Sequence, residues 1–575
     1  MTDHATRKVS LDDGTFSWRV LADWASAFES SNAPDWMNPG RTPGARCVKR
    51  NPRRAVWRLR LRGEWVYVKL YRQRAVSETE WRVGRYALEH GVATVTPIAC
   101  GVAARGSSSV LVTRELPDAV PLDRYWEQVK RASNRTDRHL RGRVLIAGLA
   151  GLLADAHRSG LYHRDLHAAN LLVCPIREGR PRVALVDLHD VRIGVAVTDH
   201  EAVHNLVQLN QWFARHATLP ERYRFLRAYL ALRSPEWVSR DALRTWAARI
   251  VTKSGPHAAR LWAKRDRRVV RTGTYFARVR PAKGWRGHVA LRCKRPIPGS
   301  RASTLTFTSQ QWASWLAEPE RWFVVPRPEL LLKDSASGLV CRAELPVDDE
   351  AGGSLPIVCK RSRSRNWLKR LWYLLRRSRP VQTFRIGHAL LNRELPTARP
   401  LAALERRVCG LVVDGLVITE AVPDAEDLDT LLRMKLIHQS PRRRRRVKDE
   451  LIAELSKLYV AMHERGCYHR DMKAPNLLVS WSPDSDDPPR ITLIDLDGVR
   501  VGRDVSASQR LRMLMRLNVS LDACRVLTRS DRVRFLKRFL GRGRNWKEVW
   551  RQVDAASTRK RARKDETRAS FAPST

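Results

Sequence analysis

The segment YHRDLHAANLLV, residues 162–173, returns 306 residues later as YHRDMKAPNLLV, residues 468–479. Nine of the twelve positions are identical, which is more than chance recurrence within one chain explains. The similarity continues on both sides in the same order and pairs 81–97 with 384–400, 145–160 with 451–466, and 183–194 with 491–502. Because the order is preserved and the spacing drifts by only a few residues, the pattern indicates a duplicated domain and not a copied motif.

Each copy begins with strand-like patterns and continues with helix-like patterns. In WVYVKLY, residues 65–71, Val66, Val68 and Leu70 share one face, which is typical of a half-buried strand. Within 145–160, leucines recur at the i, i+4 and i+7 positions of one helix face. These patterns predict an α+β protein of two tandem two-lobed units, each with a β-rich first lobe and an α-helical second lobe.

The same patterns divide the chain into five expected segments. They are an N-terminal cap at 1–44, a first repeated unit at 45–275, a connecting segment at 276–327, a second repeated unit at 328–545 and a basic disordered tail at 546–575. The tail is charged and poor in apolar residues, a composition that does not form a packed core. The tryptophans of 310–323 are expected either to pack the two units together or to contact lipid headgroups.

The chain is strongly basic, with 107 Lys and Arg against 59 Asp and Glu and a net charge of +48. Such a field attracts polyanions, which include nucleic acid, an anionic membrane surface and phosphorylated substrates. The basic residues are spread along the chain, so a solvated basic surface explains the charge equally well. No stacking-aromatic or groove-reading motif accompanies the arginines, and specific nucleic-acid binding is therefore not expected.

The nine cysteines form no C-x-x-C pair, so the sequence signals neither a zinc site nor a disulfide framework. The start of the chain lacks the apolar core of a secretion signal. The longest apolar run, 144–156, is too short to span a bilayer. These features predict a cytoplasmic chain.

The repeated segment contains H-R-D-x-x-x-x-N, and an apolar strand that ends in Asp follows it. Phosphoryl transfer needs this set: a carboxylate that orients the attacking hydroxyl, oxygen ligands for Mg²⁺, and cations that neutralise phosphate. In the first copy Asp165 is the candidate base, and Asn170 and Asp187 are candidate Mg²⁺ ligands. Lys69 ends a strand and can reach the phosphates of ATP, and Glu80 begins a helix and can pair with Lys69.

The second copy repeats most of this set. Its candidate base is Asp471, its candidate metal ligands are Asn476 and Asp495, and its candidate ATP-binding lysine is Lys360. The order and spacing match the first copy, so the sequence predicts two phosphotransfer sites that both use Mg²⁺ and ATP.

With these motifs in place, both halves resemble the protein-kinase-like superfamily. More narrowly, they resemble the bacterial lipopolysaccharide core kinases that phosphorylate heptose or Kdo. The narrower resemblance rests on a basic loop without G-x-G-x-x-G at 48–59, on Asp-Leu-His at 187–189 and Asp-Leu-Asp at 495–497 in place of D-F-G, and on the lack of an A-P-E segment. It implies two tandem bilobal kinase-like domains that phosphorylate a sugar hydroxyl of the inner core or of a related glycolipid.

The resemblance also implies where the protein acts and what it contacts. Its partner would be a glycolipid or saccharide acceptor at the inner face of the inner membrane. The basic surface would then provide peripheral contact with anionic lipid.

The two copies depart from each other at two positions. Lys473, where the first copy has His167, matches the lysine that neutralises the γ-phosphate in many protein kinases. Thr383 stands where the first copy has Glu80, so Lys360 has no evident partner. Either the second site is weakened, or another acid, such as Glu394 or one from a loop, replaces the glutamate.

Two other functions stay open at this stage. The first is a protein Ser/Thr/Tyr kinase, against which the missing A-P-E segment argues. The second is one catalytic half with a regulatory nucleotide-binding half, which Thr383 suggests. The sequence leaves the acceptor sugar, the activity of each half and the oligomeric state open.

Overall fold

A computed structural model of the protein describes residues 8–29, 33–174, 181–234, 239–293, 297, 299–336, 338–347, 353–362, 378–483, 487–502, 504–541 and 545–569. The chain divides into two compact units, Met1–Ala258 and Ala259–Thr575. Each unit is described below by itself.

The first unit contains a seven-stranded antiparallel sheet with the strand order β1-β2-β6-β7-β5-β4-β3. Its strands are β1 Lys8–Asp12, β2 Phe16–Leu21, β3 Arg46–Arg50, β4 Arg54–Leu61, β5 Glu64–Tyr71, β6 Pro97–Ala103 and β7 Ser109–Arg114. Side chains alternate along β2, where Phe16, Trp18 and Val20 are buried in the core and the residues between them are exposed. The alternation gives the sheet one apolar face.

Helices and two small sheets make up the rest of the first unit. The described helices are Ser26–Glu29, Arg74–Glu89, Leu122–Arg131, Arg135–Arg158, Asp199–His216, Leu219–Arg233 and Arg240–Arg268, the last of which continues past the end of the unit at Ala258. The small sheets combine β8 Val120–Pro121 with β10 Leu171–Cys174 and β11 Arg182–Leu185, and β9 Tyr162–His163 with β12 Val191–Arg192. Asn134 caps the long helix Arg135–Arg158, and the leucine face expected from its periodicity is buried in the helical core.

The second unit repeats this strand order element by element. Its large sheet runs β13-β14-β18-β19-β17-β16-β15, and its small sheets are β20-β22-β23 and β21-β24. The strands are β13 Phe276–Val279, β14 Trp285–Ala290, β15 Leu331–Ser335, β16 Gly338–Pro346, β17 Ser354–Ser362, β18 Pro400–Val408, β19 Leu411–Glu420, β20 Ala425–Asp427, β21 Cys467–His469, β22 Leu477–Ser480, β23 Arg490–Leu493 and β24 Val499–Val501. The described helices are Ser309–Trp315, Arg379–Asn392, Leu428–Thr430, Pro441–Glu464, Ala507–Ser520, Arg529–Leu540 and Trp546–Ala569.

Two segments that were expected to stand outside the repeated units belong to their sheets. Strands β1 and β2 lie within the expected cap at 1–44, and β2 pairs with β6. Strands β13 and β14 lie within the expected connecting segment, and β14 pairs with β18. The repeated pattern therefore begins earlier than expected, because a strand needs only alternating burial and tolerates many different apolar residues.

The tryptophan-rich segment also has a different place from the one expected. Trp312 is fully buried in the core of the second unit, and its indole Nε1 donates to the carbonyl of Ala290 over 2.9 Å. Trp322 is buried as well and donates to the carbonyl of Trp315 over 3.0 Å. Both tryptophans pack against the apolar face of the large sheet, so neither expected role, between the units or against lipid, describes them.

The tail, which was expected to be disordered, contains the helix Trp546–Ala569. Val553 and Ser557 are buried one turn apart, and Asn518 donates to the hydroxyl of Ser557 over 2.9 Å. A single narrow buried stripe suffices to dock a charged helix, and average composition conceals such a stripe. Residues 1–7 of the expected cap and 570–575 of the expected tail lie outside the described residues.

Within the described part of the chain, every helix is too short or too polar to cross a membrane.

Candidate active sites

The H-R-D loop of the first unit follows β9 and folds back on itself through two local hydrogen bonds. The backbone N–H of Asp165 donates to Nδ1 of the buried His163 over 3.2 Å. The side-chain amide of Asn170 donates to the backbone carbonyl of Asp165 over 3.0 Å. These bonds hold the candidate base and the candidate metal ligand together, while the carboxylate of Asp165 stays 71% exposed.

The second unit builds the same loop with the same bonds. The backbone N–H of Asp471 donates to Nδ1 of buried His469 over 3.2 Å. The amide of Asn476 donates to the carbonyl of Asp471 over 2.8 Å. The side chain of Asp471 is 36% exposed and is therefore also open to a partner from solvent.

Asp187 and Asp495, the candidate metal ligands that follow β11 and β23, share an unusual backbone conformation. Their φ angles are 64° and 55°, in the left-handed region that residues other than glycine seldom adopt. The preceding residues, Val186 and Ile494, both donate to the backbone carbonyl of the loop asparagine over 3.0 Å. The same strained turn in both units is an observation that favours a functional role for these two carboxylates.

A glycine in each unit allows the helix before the site to approach this turn. At Gly84 an added Cβ would lie 3.1 Å from the ring of Pro97 and 3.8 Å from the side chain of Leu188. At Gly387 the corresponding distances are 2.4 Å to Pro400 and 3.2 Å to Leu496. The helix that carries the position of Glu80 therefore packs directly against the residue that follows the candidate metal ligand.

In the first unit Lys69 forms an ion pair with Glu80. The hydroxyl of Tyr71 donates to the other carboxylate oxygen of Glu80 over 2.5 Å. Burial raises the pKa of Tyr71 far above its usual value, and the Glu80 charge raises it further, so the phenol remains a donor. Glu80 is almost completely buried, and its two partners hold it in one position.

Asp187 is held by two side chains that were not among the predicted site residues. Arg54, the first residue of β4, donates to its two oxygens over 2.6 and 2.9 Å. Nδ1 of His189 lies 2.8 Å from Oδ1 of the same carboxylate. Burial opposes ionisation of Asp187, but the hydrogen bonds from Arg54 and His189 outweigh it and hold the pKa of the carboxyl well below its usual value. The only signal for Arg54 in the sequence was the basic character of 48–59.

In the second unit, the strand lysine contacts acids of a loop in place of a glutamate of the helix. Nζ of Lys360 lies 2.9 Å from Asp495 and 3.3 Å from Asp497. Thr383, at the position of Glu80, donates from its hydroxyl to Asp497 over 2.8 Å. Burial alone would lower the pKa of Lys360, but the two carboxylates raise it above its usual value. Glu394 lies beyond the far end of the helix Arg379–Asn392, so the loop alternative is the one that the contacts support.

The surroundings of the two candidate bases differ. Lys473 lies 3.0 Å from one oxygen of Asp471, and Arg516 lies 3.7 Å from the other. In the first unit Nε2 of His167 lies 3.7 Å from Asp165. The counterpart of Arg516 is Gln208, which accepts from the loop backbone at Leu166 over 3.2 Å. Arg516 was not predicted, because only the fold brings its helix beside the loop.

The side chains of the first unit fit a hard divalent cation. In the first unit Glu80, Asp187 and His189 each offer a ligand atom, and these atoms all lie within 4.8 Å of one another. The loop asparagines use the amide nitrogen in the bond to the backbone, which leaves the amide oxygen as the ligand atom. Carboxylate and amide oxygens are the ligands that Mg²⁺ prefers. The strand lysines add positive charge beside these oxygens, so the arrangement is chemically suited to a metal ion and an anionic ligand.

A protein-family model matches both halves of the chain. The model of the lipopolysaccharide kinase (Kdo/WaaP) family matches residues 46–231 and 361–539, together more than half of the chain. The lipopolysaccharide core heptose(I) kinase WaaP of Pseudomonas aeruginosa PAO1 is 29% identical over 164 residues, which are 27% of this chain and 59% of the relative. A solved structure described as WaaP in complex with acyl carrier protein is 25% identical and covers 36% of this chain and 88% of its own. Its TM-score is 0.29, at which the structural likeness adds nothing to the family match.

Proposed function

The chain belongs to the lipopolysaccharide kinase (Kdo/WaaP) family, and we propose that it transfers the γ-phosphoryl group of ATP to a sugar hydroxyl of the lipopolysaccharide inner core or of a related glycolipid. The proposed acceptor is a heptose or Kdo. The observation that carries the proposal is the duplicated loop, in which an exposed aspartate, an asparagine and a second aspartate are brought together in the same way in each unit.

Each side chain has a role that follows from its position. Asp165 and Asp471 are the proposed bases, because they are exposed and can accept the proton of the attacking sugar hydroxyl. The ATP-binding residues would be Lys69, Glu80, Lys360 and Lys473. Each lysine would neutralise charge on the phosphates, and Glu80 would hold Lys69 in place.

The metal ligands would be Asn170 and Asp187 in the first unit and Asn476 and Asp495 in the second. Mg²⁺, when bound, would neutralise charge on the phosphate oxygens. Asn170 and Asn476 are positioned for this by their bonds to the loop backbone.

The repeated strand order supports two tandem bilobal kinase-like domains. We propose that each domain begins with the two strands that precede the expected boundary, β1 and β2 in the first and β13 and β14 in the second. The contacts of Lys360 with two carboxylates favour an active second site over a purely regulatory one.

The net charge of +48 supports peripheral contact with anionic lipid at the inner face of the inner membrane. Co-sedimentation with vesicles that contain phosphatidylglycerol should decrease as salt increases, because salt screens the attraction. Binding that does not change with salt would contradict this docking.

The test is transfer of γ-labelled phosphate from Mg·ATP into extracted glycolipid and, in parallel, into protein. Wild type would be compared with Asp165→Asn, Asp471→Asn and the double variant. We expect each single variant to lose part of the glycolipid label and the double variant to lose all of it. Asp504→Asn changes an exposed aspartate outside both sites and serves as the control.

The outcomes separate the alternatives. Loss of all label with one single variant would assign the other half a regulatory role. Label in protein alone would overturn the sugar-kinase proposal and support a protein kinase.

A further inference from the structure

We infer that Asp497 takes over, at the second site, the positioning task that Glu80 performs at the first, and that Thr383 holds Asp497 in place. The inference rests on the proposed kinase function. It treats the second site as a rearranged version of the first site and not as a damaged one.

The two units differ at two positions whose side chains lie next to each other. On the helix, Glu80 of the first unit corresponds to Thr383, and after the metal-ligand aspartate, His189 corresponds to Asp497. In the first unit the side chains at these two positions lie within 4.8 Å of each other. A carboxylate at the loop position can therefore reach the strand lysine, as a carboxylate at the helix position does.

The contacts in the second unit agree with this exchange. Oδ2 of Asp497 lies 3.3 Å from Nζ of Lys360, and Oδ1 accepts from the hydroxyl of Thr383 over 2.8 Å. Thr383, on the helix, therefore holds Asp497 by a hydrogen bond from its hydroxyl. Tyr71, on the sheet, holds Glu80 in the same way in the first unit. Each site keeps one lysine, one positioning carboxylate and one hydroxyl donor to that carboxylate.

The exchange also explains why the second site has two carboxylates at its lysine. Asp495 is the proposed metal ligand, so its carboxylate would be shared between a bound metal and Lys360. Asp497 would then remain as the acid that pairs with Lys360. The side chains of Lys360 and Asp497 are both 33% exposed, against 13% and 3% for Lys69 and Glu80, so the second pair is the more strongly screened by salt.

The experiment uses the full chain with the first site disabled by Lys69→Ala and Asp165→Asn. In this background Asp497→His and Thr383→Glu are made singly and together, because the double variant reproduces the residues of the first unit. Two quantities are measured: the affinity for a fluorescent ATP analogue with Mg²⁺, and the kcat and KM for ATP in glycolipid labelling. Asp504→His, the same substitution at an exposed position nearby, is the control, and thermal unfolding shows that each variant is folded.

Asp497→His should raise the dissociation constant and the KM for ATP about tenfold, because Lys360 loses its dedicated partner. The double variant should restore both to within about threefold of the background, a coupling that only neighbouring residues show. Asp497→Asn should resemble Asp497→His. A residue that only supports the turn would lower the unfolding temperature without this recovery in the double variant.

The outcomes distinguish this inference from the proposed function. Unchanged ATP binding in Asp497→His, or a double variant as impaired as Asp497→His, would overturn the inference. Normal ATP binding without any transfer of label in the background protein would assign the second half a regulatory role, and the inference could still be judged from binding. If the background protein binds no ATP, the inference is wrong, whereas the proposed kinase function fails only if wild type transfers no label to glycolipid.

Discussion

The guanidinium group of Arg54 donates to both carboxylate oxygens of Asp187, over 2.6 and 2.9 Å. Asp187 is the proposed metal ligand of the first site, so a cation from the start of β4 already occupies the carboxylate that the metal needs. At the same register of the second unit, among the residues that the structure describes, stands Gly338, which has no side chain for such a contact. Arg54 pairs across the sheet with Tyr71, two residues after Lys69, whereas Gly338 pairs with Ser362, two residues after Lys360.

Removal of Arg54 should make the first site bind Mg²⁺ at lower concentration. In Arg54→Ala, Asp187 does not have to give up a paired guanidinium group before it binds the metal. The Mg²⁺ concentration that gives half-maximal activity should therefore fall roughly tenfold. The measurement is Mg²⁺ titration of glycolipid labelling in an Asp471→Asn background. Arg53→Ala removes an exposed arginine next to it and should have no effect; an unchanged Mg²⁺ requirement in Arg54→Ala would contradict the competition.

Loss of the Tyr71 hydroxyl should weaken ATP binding at the first site. Tyr71 donates to Glu80, and Tyr71→Phe leaves one oxygen of a buried carboxylate without that donor. We expect the KM for ATP to rise by about tenfold or more with little change in kcat, since a hydrogen bond to a charged group contributes about 1.5–3 kcal/mol and about 1.4 kcal/mol is a factor of ten. Tyr67→Phe is the matched control on the same strand, because Tyr67 donates to Glu115 instead. Equal KM values for both variants would contradict the positioning role of Glu80.

Acid should destabilise the first unit through His157. This ring is fully buried and neutral: Nδ1 accepts from Tyr229 over 2.7 Å, and Nε2 donates to Asn205 over 3.2 Å. Burial lowers its pKa from 6.5 to about 4. The folded pKa lies below the unfolded one, so this contribution to stability is complete above pH 6.5 and is lost as the pH falls toward 4.

The loss should reach about 3 kcal/mol in the free energy of unfolding, measured with urea at several pH values. In His157→Gln this pH dependence should flatten. His139→Gln changes an exposed histidine on the same helix and should leave the dependence as it is. An unchanged slope in His157→Gln would show that other groups cause the acid sensitivity.

Alanine should be tolerated at Gly84 better than at Gly387. The added Cβ meets the proline ring at 3.1 Å in the first unit but at 2.4 Å in the second, where the helix must shift. Gly387→Ala should lower the free energy of unfolding by about 1–3 kcal/mol. In Gly84→Ala, the stability gained when alanine replaces glycine in a helix should offset most of the free-energy cost of the close contact with the proline ring.

Gly142→Ala lies within a helix and meets nothing within 4 Å, so it should be neutral or stabilising. Chemical unfolding measures the free energy of unfolding of the three variants and so gives their order of stability. A Gly387→Ala variant as stable as Gly142→Ala would contradict the close approach of the helix to the turn.

Much of each site was predictable because its parts are close in sequence. The loop bonds that join Asp165 to Asn170 and Asp471 to Asn476 span five residues, and the spacing of the motif alone implies them. The lysine strands and the long helices followed from periodicity. The edge strands, the buried tryptophans and the terminal helix did not, because their places depend on the surfaces that they cover.

The sequence by itself determined the duplication, the family resemblance and the candidate base, metal ligands and lysine of each unit. All of these are properties of local order and spacing. Only the tertiary structure decided that Arg54 reaches Asp187 across 133 residues and that Lys360 reaches Asp497 across 137 residues. Such contacts depend on how sheet and helix pack. A lysine that has no acidic partner nearby in sequence can pair with any carboxylate that the fold places within reach.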